Sequence, residues 1–151
     1  MANIGDSVSG GTVFYTGATG GLIAATEDFR FPLYWGCSRV GIGCVSTVIG
    51  SGLTNTMLIV SGCTGNTMIA ADACYNLILN GYSDWFLPSK DELNQMFLQK
   101  SVIGNFSALD NYWSSTEYTP ETAWLQFFGN GTQSELGGKE QLYRVRPIRA
   151  F

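Results

Sequence analysis

Few residues in this chain could do covalent or acid–base chemistry. They are four cysteines (Cys37, Cys44, Cys63 and Cys74), the adjacent carboxylates Asp91-Glu92, and the run Ser114-Ser115-Thr116-Glu117. Histidine is absent. That removes Ser-His-Asp and Cys-His catalysis, imidazole proton transfer and every histidine-containing metal site. The hydroxyls at 114–116 have a carboxylate beside them, but no Lys or His close in sequence to activate a nucleophile. Ser89-Lys90-Asp91-Glu92 has the Ser-x-x-Glu spacing of a capping box, so capping and the helix dipole account for both carboxylates. No Cys-x-x-Cys occurs, which excludes a zinc knuckle or a thioredoxin-type motif. The four cysteines allow three pairings. Cys37 and Cys44 flank a Gly-rich loop and could join, whereas Cys74 sits at helical spacing with Ala70, Leu77 and Ile78 and reads as a buried thiol. Gly10-Gly11 and Gly20-Gly21 open no helix, so no phosphate loop is indicated. Asp84-Trp85 reads as a carboxylate on local backbone donors beside a core-filling indole.

The elements that must position these groups belong to one domain, since 151 residues leave no room for a second core. Charged residues are only 13% of the chain, about half the usual share, and Gly contributes 19 positions. The surface is therefore mostly neutral and polar, which suits binding better than metabolic catalysis. A net charge of −4 argues against nucleic acid, because phosphate affinity rests on clustered Lys and Arg. Arg144, Arg146 and Arg149 crowd the C-terminal end but alternate as solvated or paired strand residues do. No apolar run reaches the roughly 18 residues of a membrane span, so no membrane insertion is expected. Met1 to Asp6 lacks the basic and apolar regions of a signal peptide, and the chain is expected to be the C-terminal part of a longer fibre or adhesin.

Thr12-Val13-Phe14-Tyr15 and Leu22-Ile23-Ala24-Ala25 joined by a Gly-rich link predict a hairpin. Residues 26–53 show no period, and long irregular regions of this kind are usually functional or pinned by aromatics. Helices are predicted over Thr54 to Val60, from an Asn66 or Thr67 cap to before Gly81, and from Ser89 with Leu93, Met96 and Phe97 as the buried stripe. On the second, Ala70, Cys74, Leu77 and Ile78 share the apolar face. Strands follow over Tyr112 to Tyr118 and Ala123 to Phe128, with an Asn130-Gly131 turn, and over Leu142 to Ile148, where Pro147 marks an edge or an end. The order gives an α+β domain without a βαβ repeat.

Alternation along the strand at 123–128 puts Trp124, Gln126 and Phe128 on one side, and Ala123, Leu125 and Phe127 on the other. With Trp124 and Phe128 inward, Leu125 and Phe127 face out, and covering each by a ligand would contribute about 1.5–3 kcal/mol. The alternative, with both faces covered by protein such as a subunit, stays open.

Several motifs in order then carry a resemblance. They are Ile4-Gly5-Asp6 with Gly10 to Tyr15, Gly21 to Ala25, the specific run Gly81-Tyr82-Ser83-Asp84-Trp85-Phe86-Leu87-Pro88-Ser89 through Leu93, Tyr112-Trp113-Ser114-Ser115-Thr116-Glu117, Ala123-Trp124 and Val145-Arg146-Pro147-Ile148-Arg149-Ala150-Phe151. Over nearly its whole length the chain resembles the C-terminal domains of bacterial collagen-like adhesins, the Lcl-domain family, and of phage and bacterial variable proteins. The resemblance implies a C-type-lectin-like fold with N- and C-terminal strands paired, two main helices and a long irregular loop region. Members are ligand-binding tips, often trimeric, on a cell surface or a phage tail fibre, and diversity-generating retroelements mutate some of them. By the same resemblance Trp124, Gln126, Phe128, Asn130-Gly131, Gln133 and Lys139 look like framework. Tyr118, Thr119, Leu125, Phe127, Gly129, Thr132, Ser134, Leu136, Leu142 and Tyr143 then look like variable, ligand-binding positions. Calcium-dependent lectins of this superfamily use Glu-Pro-Asn or Gln-Pro-Asp, and neither tripeptide occurs here, so no metal and no cofactor are expected.

The resulting expectation is a non-enzymatic receptor-binding domain, homotrimeric, displayed on a virion tail fibre or a bacterial cell surface. Its partner would be a host cell-surface protein or glycan. The alternative is a structural trimerisation cap in which Leu125, Phe127 and Tyr143 pack between subunits.

Overall fold

The computed structural model describes residues 1–151, and its first ordered unit is the hairpin. Strands β1 (Ser7–Val8), β2 (Gly11–Gly17) and β3 (Gly20–Ala24) are sequential antiparallel neighbours, and β7 (Ile148–Ala150) completes a four-stranded sheet in the order β1-β2-β3-β7. Leu22 pairs with Ala150 and Ala24 with Ile148, so the N-terminal hairpin and the C-terminal strand are joined. Strand β7 is an edge, and it starts one residue after Pro147 because Pro has no N–H to give to a ladder. The strand predicted over 142–148 is therefore corrected: only Ile148 of that run joins the strand, which continues to Ala150, and Tyr143 and Arg144 make only isolated bridges, to Leu33 and Tyr112. Gly11 is required where β2 and β3 cross closely, since a Cβ there would collide with the Ala24 carbonyl.

Helix α1 (Gly52–Gly62) and helix α3 (Lys90–Leu98) are the long ones, with short helices α2 (Ala70–Tyr75) and α4 (Lys100–Ile103) beside them. The capping box forms as the spacing predicts: Ser89 Oγ accepts from Glu92 N–H, and Glu92 Oε1 accepts from Ser89 N–H at 2.8 Å. Glu92 reaches further than a cap must, accepting also from Gly50 N–H at 2.8 Å, so the helix start anchors the preceding irregular chain. Helix α2 is shorter than the sequence predicts. Its small residues Ala70, Ala71 and Cys74 pack into the core, but Leu77 and Ile78 fall beyond it and Ile78 is 77% exposed. Ile69, in extended conformation, is its N-cap in place of the predicted Asn66 or Thr67, and Asn66 instead accepts from Cys37 N–H.

A second sheet, β4 (Asn111–Glu117), β5 (Thr122–Phe127) and β6 (Gln133–Gly138), is antiparallel in that order. The architecture is α+β, two antiparallel sheets with helices packed against them. One apolar cluster gathers Trp35, Ile59, Cys74, Trp113 and Val145, and another gathers Phe14, Phe86, Met96, Tyr112 and Phe128. The buried indoles are satisfied by distant carbonyls, Trp35 by Ser114 at 2.9 Å and Trp113 by Leu33 at 2.8 Å. Such long-range bonds hold the irregular stretch between β3 and α1. Within it, Phe29 N–H donates to the Val145 carbonyl, and the Ser46 carbonyl accepts from Thr116 Oγ1 and Asn55 Nδ2.

The three C-terminal arginines are all paired. Arg149 forks onto Asp84 at 2.7 and 2.9 Å, Arg144 meets Asp110 at 2.6 Å, and buried Arg146 meets Asp28 at 2.8 Å and three carbonyls. Asp84 thus serves the Arg149 guanidinium rather than local backbone donors.

Candidate functional site

The site grows from one buried ion pair. Lys139, at the end of β6, sends Nζ inward to Glu117 Oε2 at 2.7 Å and to the Val40 carbonyl at 3.1 Å, above the Trp35 ring at 4.5 Å. Glu117 also accepts from the backbone amides of Ile42 and Gly43 at 2.8 and 2.9 Å. Burial pushes its carboxyl up, but Lys139 and the two amides outweigh burial and hold it below the usual carboxylate range. The pair ties three distant segments together, and its charges cancel each other inside the protein.

Over this pair lies an open cleft of about 620 Å³ with three walls. The first comes from Tyr34, Gly36, Cys37, Ser38 and Val40, the second from Thr64, Asn66, Thr67 and Ile69, and the third from Lys139 and Glu140. Each wall is fastened to another. The Cys37–Cys63 disulfide links the first two, and Ala70 N–H donates to the Tyr34 carbonyl at 2.8 Å. Asn66 Oδ1 accepts from Cys37 N–H at 3.4 Å, and Gly36 N–H donates to the Lys139 carbonyl at 3.3 Å. Gly36 has φ +93°, with Ile69 and the Cys63 sulfur packed where a Cβ would be, so no other residue fits this corner.

The observed pairing differs from the one the loop spacing suggested. Cys37 joins Cys63, because α1 carries residue 63 back over the irregular loop, while Cys44 is buried beside Glu117. Burial, with the Glu117 charge adding to it, pushes the Cys44 thiol up to about 12, and burial alone raises that of Cys74. Neither thiol is an available nucleophile at neutral pH. Cys74 is buried as its spacing implied.

The ten residues singled out from sequence do not form one face. Leu125 is a correction: it is 7% exposed, packed with Trp113, Ala123 and Val145 in the first apolar cluster. Alternation separates the two faces of β5 correctly, but both are covered by this same chain. On the opposite face Trp124 lies under Lys90 of α3, with Nζ 4.2 Å from the ring, and Gln126 donates to Asn94 at 2.9 Å. Phe127 is half-buried, its ring against Gly129, and Tyr143 packs edge-on to Trp113 at 4.7 Å. Tyr118 and Thr119 sit at one end of β5, and Gly129 and Thr132 at the other, about 20 Å away for a six-residue strand. Ser134 lies opposite Leu125 in the ladder and is half-buried, while Leu136 and Leu142 are exposed. Gln126, Gln133 and Lys139 behave as framework, each bonding an element other than its own strand.

One end of that set does adjoin the cleft. Arg39 N–H donates to the Pro120 carbonyl at 2.9 Å, and Lys139 N–H to the Glu121 carbonyl at 3.0 Å. The turn that carries Tyr118 and Thr119 is thereby fastened to the first and third walls. The wall residues Tyr34, Ser38, Thr64, Asn66 and Thr67 escaped the sequence reading because they come from aperiodic segments. The signal present was the aromatic Tyr34-Trp35-Gly36-Cys37 stretch inside a long irregular region, together with a second cysteine able to clamp it.

No curated protein gives a significant match to this chain. Among solved structures, a fimbrial protein from Bacteroides ovatus ATCC 8483 is similar with a TM-score of 0.56 at 14% identity. The likeness covers 85% of this chain but 35% of the fimbrial protein, and at that identity it concerns the fold alone. The family model of the Lcl C-terminal domain matches residues 25–149, a span that holds every wall of the cleft, the Glu117–Lys139 pair and all three paired arginines. The chain belongs to the Lcl C-terminal domain family.

Proposed function

We propose that this domain is a non-enzymatic recognition module of a surface-displayed adhesin, binding a protein or glycan of a host surface on a C-type-lectin-like scaffold. The observation that carries the reading is the solvent-open cleft with its fastened walls, set among reactive groups that are already committed to structure. Glu117 is paired, Asp91 and Glu92 start a helix, and the free thiols are buried. Loops held by a rigid scaffold are where proteins place recognition. Membership of the Lcl family and the fold likeness to a fimbrial protein support display on a surface. The proposed display is homotrimeric, at a bacterial cell surface or a phage tail-fibre tip, and would raise avidity about 10²–10⁴-fold over one weak site. Retroelement diversification of the exposed positions Tyr118, Thr132, Leu136 and Leu142 belongs to the same proposal, and a gene with no adjacent template repeat would remove it.

The test is binding of labelled domain to intact cells of candidate hosts, with Tyr34→Ala and Tyr118→Ala variants checked for fold. Selective binding that either variant weakens supports the reading. Absence of binding across a broad host panel refutes it.

A second reading, the structural trimerisation cap, is favoured by a separate observation. No charged residue occurs between Arg39 and Asp72, and α1 leaves Leu53, Met57 and Leu58 substantially exposed. That apolar face replaces Leu125 as the surface for packing between copies, since Leu125 is spent in its own core. If sedimentation shows an oligomer that Met57→Glu dissociates while cell binding is absent throughout, the cap is the better description.

A further inference from the structure

We infer that the cleft between Tyr34, Asn66 and Lys139 takes a neutral, hydroxyl-rich saccharide. The inference rests on the adhesin reading above and names the class of ligand for that site.

Charge decides the first half. The only cation lining the cleft is Lys139, and its ammonium is turned inward onto Glu117 and the Val40 carbonyl. The only other charged lining residue is Glu140, exposed at the rim, which repels anions. Among the lining residues a phosphate, sulfate or uronic acid would find no free positive partner; Arg39, exposed between Ser38 and Val40, stands beside the cleft and not in its lining. A cation would find one exposed carboxylate and no second, too little for a binding site.

Lining chemistry decides the second half. Four of the twelve lining residues are hydrophobic, too few to desolvate a lipid or steroid. Ser38, Thr64 and Thr67 offer hydroxyls, each able to donate and accept, and Asn66, though bonded to Cys37, keeps one Nδ2–H to donate. A sugar ring presents the matching pattern, hydroxyls that donate and accept around its edge and an apolar C–H face. Tyr34, 46% exposed, supplies an aromatic face at the mouth with a hydroxyl at its tip. A volume of about 620 Å³ falls in the range of small-molecule sites.

Preorganisation is the third element. The disulfide, the Asn66 bond to Cys37 and the Gly36 bond to Lys139 already hold the walls, so a weakly bound sugar need not order them.

The experiment is a titration of the ¹⁵N-labelled domain with lactose, maltose, cellobiose and chitobiose, extended to a neutral glycan array, beside sialyllactose and a sulfated heparin disaccharide. The expected result is saturable shifts of the Gly36, Ser38, Asn66 and Thr67 amides with at least one neutral sugar and with neither charged one. Tyr34→Ala should weaken that binding by about tenfold, as loss of one packing surface worth roughly 1.4 kcal/mol would. Tyr34→Phe, which keeps the ring, should retain most of it, and an unchanged amide spectrum elsewhere certifies the fold. Shifts with charged sugars alone, or none at these amides across the neutral panel, overturn the inference. If cells are still bound in that second case, the adhesin reading survives and only the ligand class falls. If a neutral sugar binds the cleft but no host cell is bound, the ligand class stands and the adhesin reading falls.

Discussion

Lys139 Nζ lies 2.7 Å from Glu117 Oε2, with 0% and 5% of the two side chains exposed, and this pair lines the cleft through its lysine. It joins the end of β6 to the end of β4 and fixes the backbone at 40–43 through three further bonds.

Removing one partner of such a pair strands the other. Lys139→Met should destabilise the domain by about 3–5 kcal/mol, and Glu117→Gln by a comparable amount because the Ile42 and Gly43 amides also lose a charged acceptor. The double variant Glu117→Leu/Lys139→Met should lose clearly less than the sum. Urea unfolding of the two singles and the double measures this, and simple additivity would mean that the two residues act independently.

Acid should unfold the domain through a few identifiable carboxylates. Asp84 is held low by the Arg149 hydrogen bond, Asp110 by Ser107 and then Arg144, and Glu117 by Lys139 and two amides against the opposing effect of burial. A depressed folded-state pKa contributes stability above the ordinary carboxylate range, lost as pH falls through the folded value. Glu92 works the other way. Burial raises it despite its hydrogen bonds, so its contribution is present below the unfolded value and fades as pH rises through the folded one. Asp72 is raised by burial as well. Both raised groups are largely protonated below about pH 4, where the three depressed ones still titrate, so a net loss of stability is expected on acidification through that range. Thermal melts at stepped pH should show it, and Asp84→Asn should flatten the acid limb.

The disulfide closes a separation of 26 residues, which corresponds to about 3–4 kcal/mol of chain entropy removed from the unfolded state. A Cys37→Ser/Cys63→Ser variant should therefore fold with a lower denaturant midpoint. Hydrogen exchange should rise first at 36–38 and 63–67, the walls it fastens. Uniform loss of protection across the domain would instead place the disulfide in a global role.

Leu125 and Tyr118, grouped together by the sequence reading, should behave oppositely. Leu125→Ala opens a hole in the cluster around Trp113 and should cost about 2–5 kcal/mol. Tyr118 is 54% exposed at the base of its turn, its ring edge-on to Trp124 at 5.9 Å, and Tyr118→Ala should cost no more than about 1.5 kcal/mol. Chemical denaturation of both variants checks this, and equal effects would contradict the assignment of Leu125 to the core.

What was legible in the sequence was local. The Ser89–Glu92 capping box and the first hairpin depend on neighbours a few positions apart and appear where they were read, whereas the strand read over Leu142 to Ile148 begins only after Pro147. The faces of β5 were also legible, as sets of alternating side chains. Alternation names two faces without saying what covers them, so Leu125 went to the wrong environment. The cleft was hidden for a different reason. Tyr34, Asn66 and Lys139 share no period, and a disulfide, a buried ion pair and backbone bonds between loops bring them together across the chain. Asp84 and Arg149 were both visible, but only the long-range bridge between Phe86 and Ile148 lays the 84–86 segment beside the C-terminal strand where they can meet.

The pairing of Leu22 with Ala150 and Ala24 with Ile148 also governs how the domain would bear a pull. Tension applied at the two chain ends enters β1 and β7, the opposite edges of the four-stranded sheet, and crosses it through the β1–β2, β2–β3 and β3–β7 ladders. The cleft is built from other segments, clamped by a covalent link and a buried ion pair that lie outside that line of force. A domain wired this way and pulled by its two ends strains its first sheet, while the cleft walls lie outside the loaded ladders.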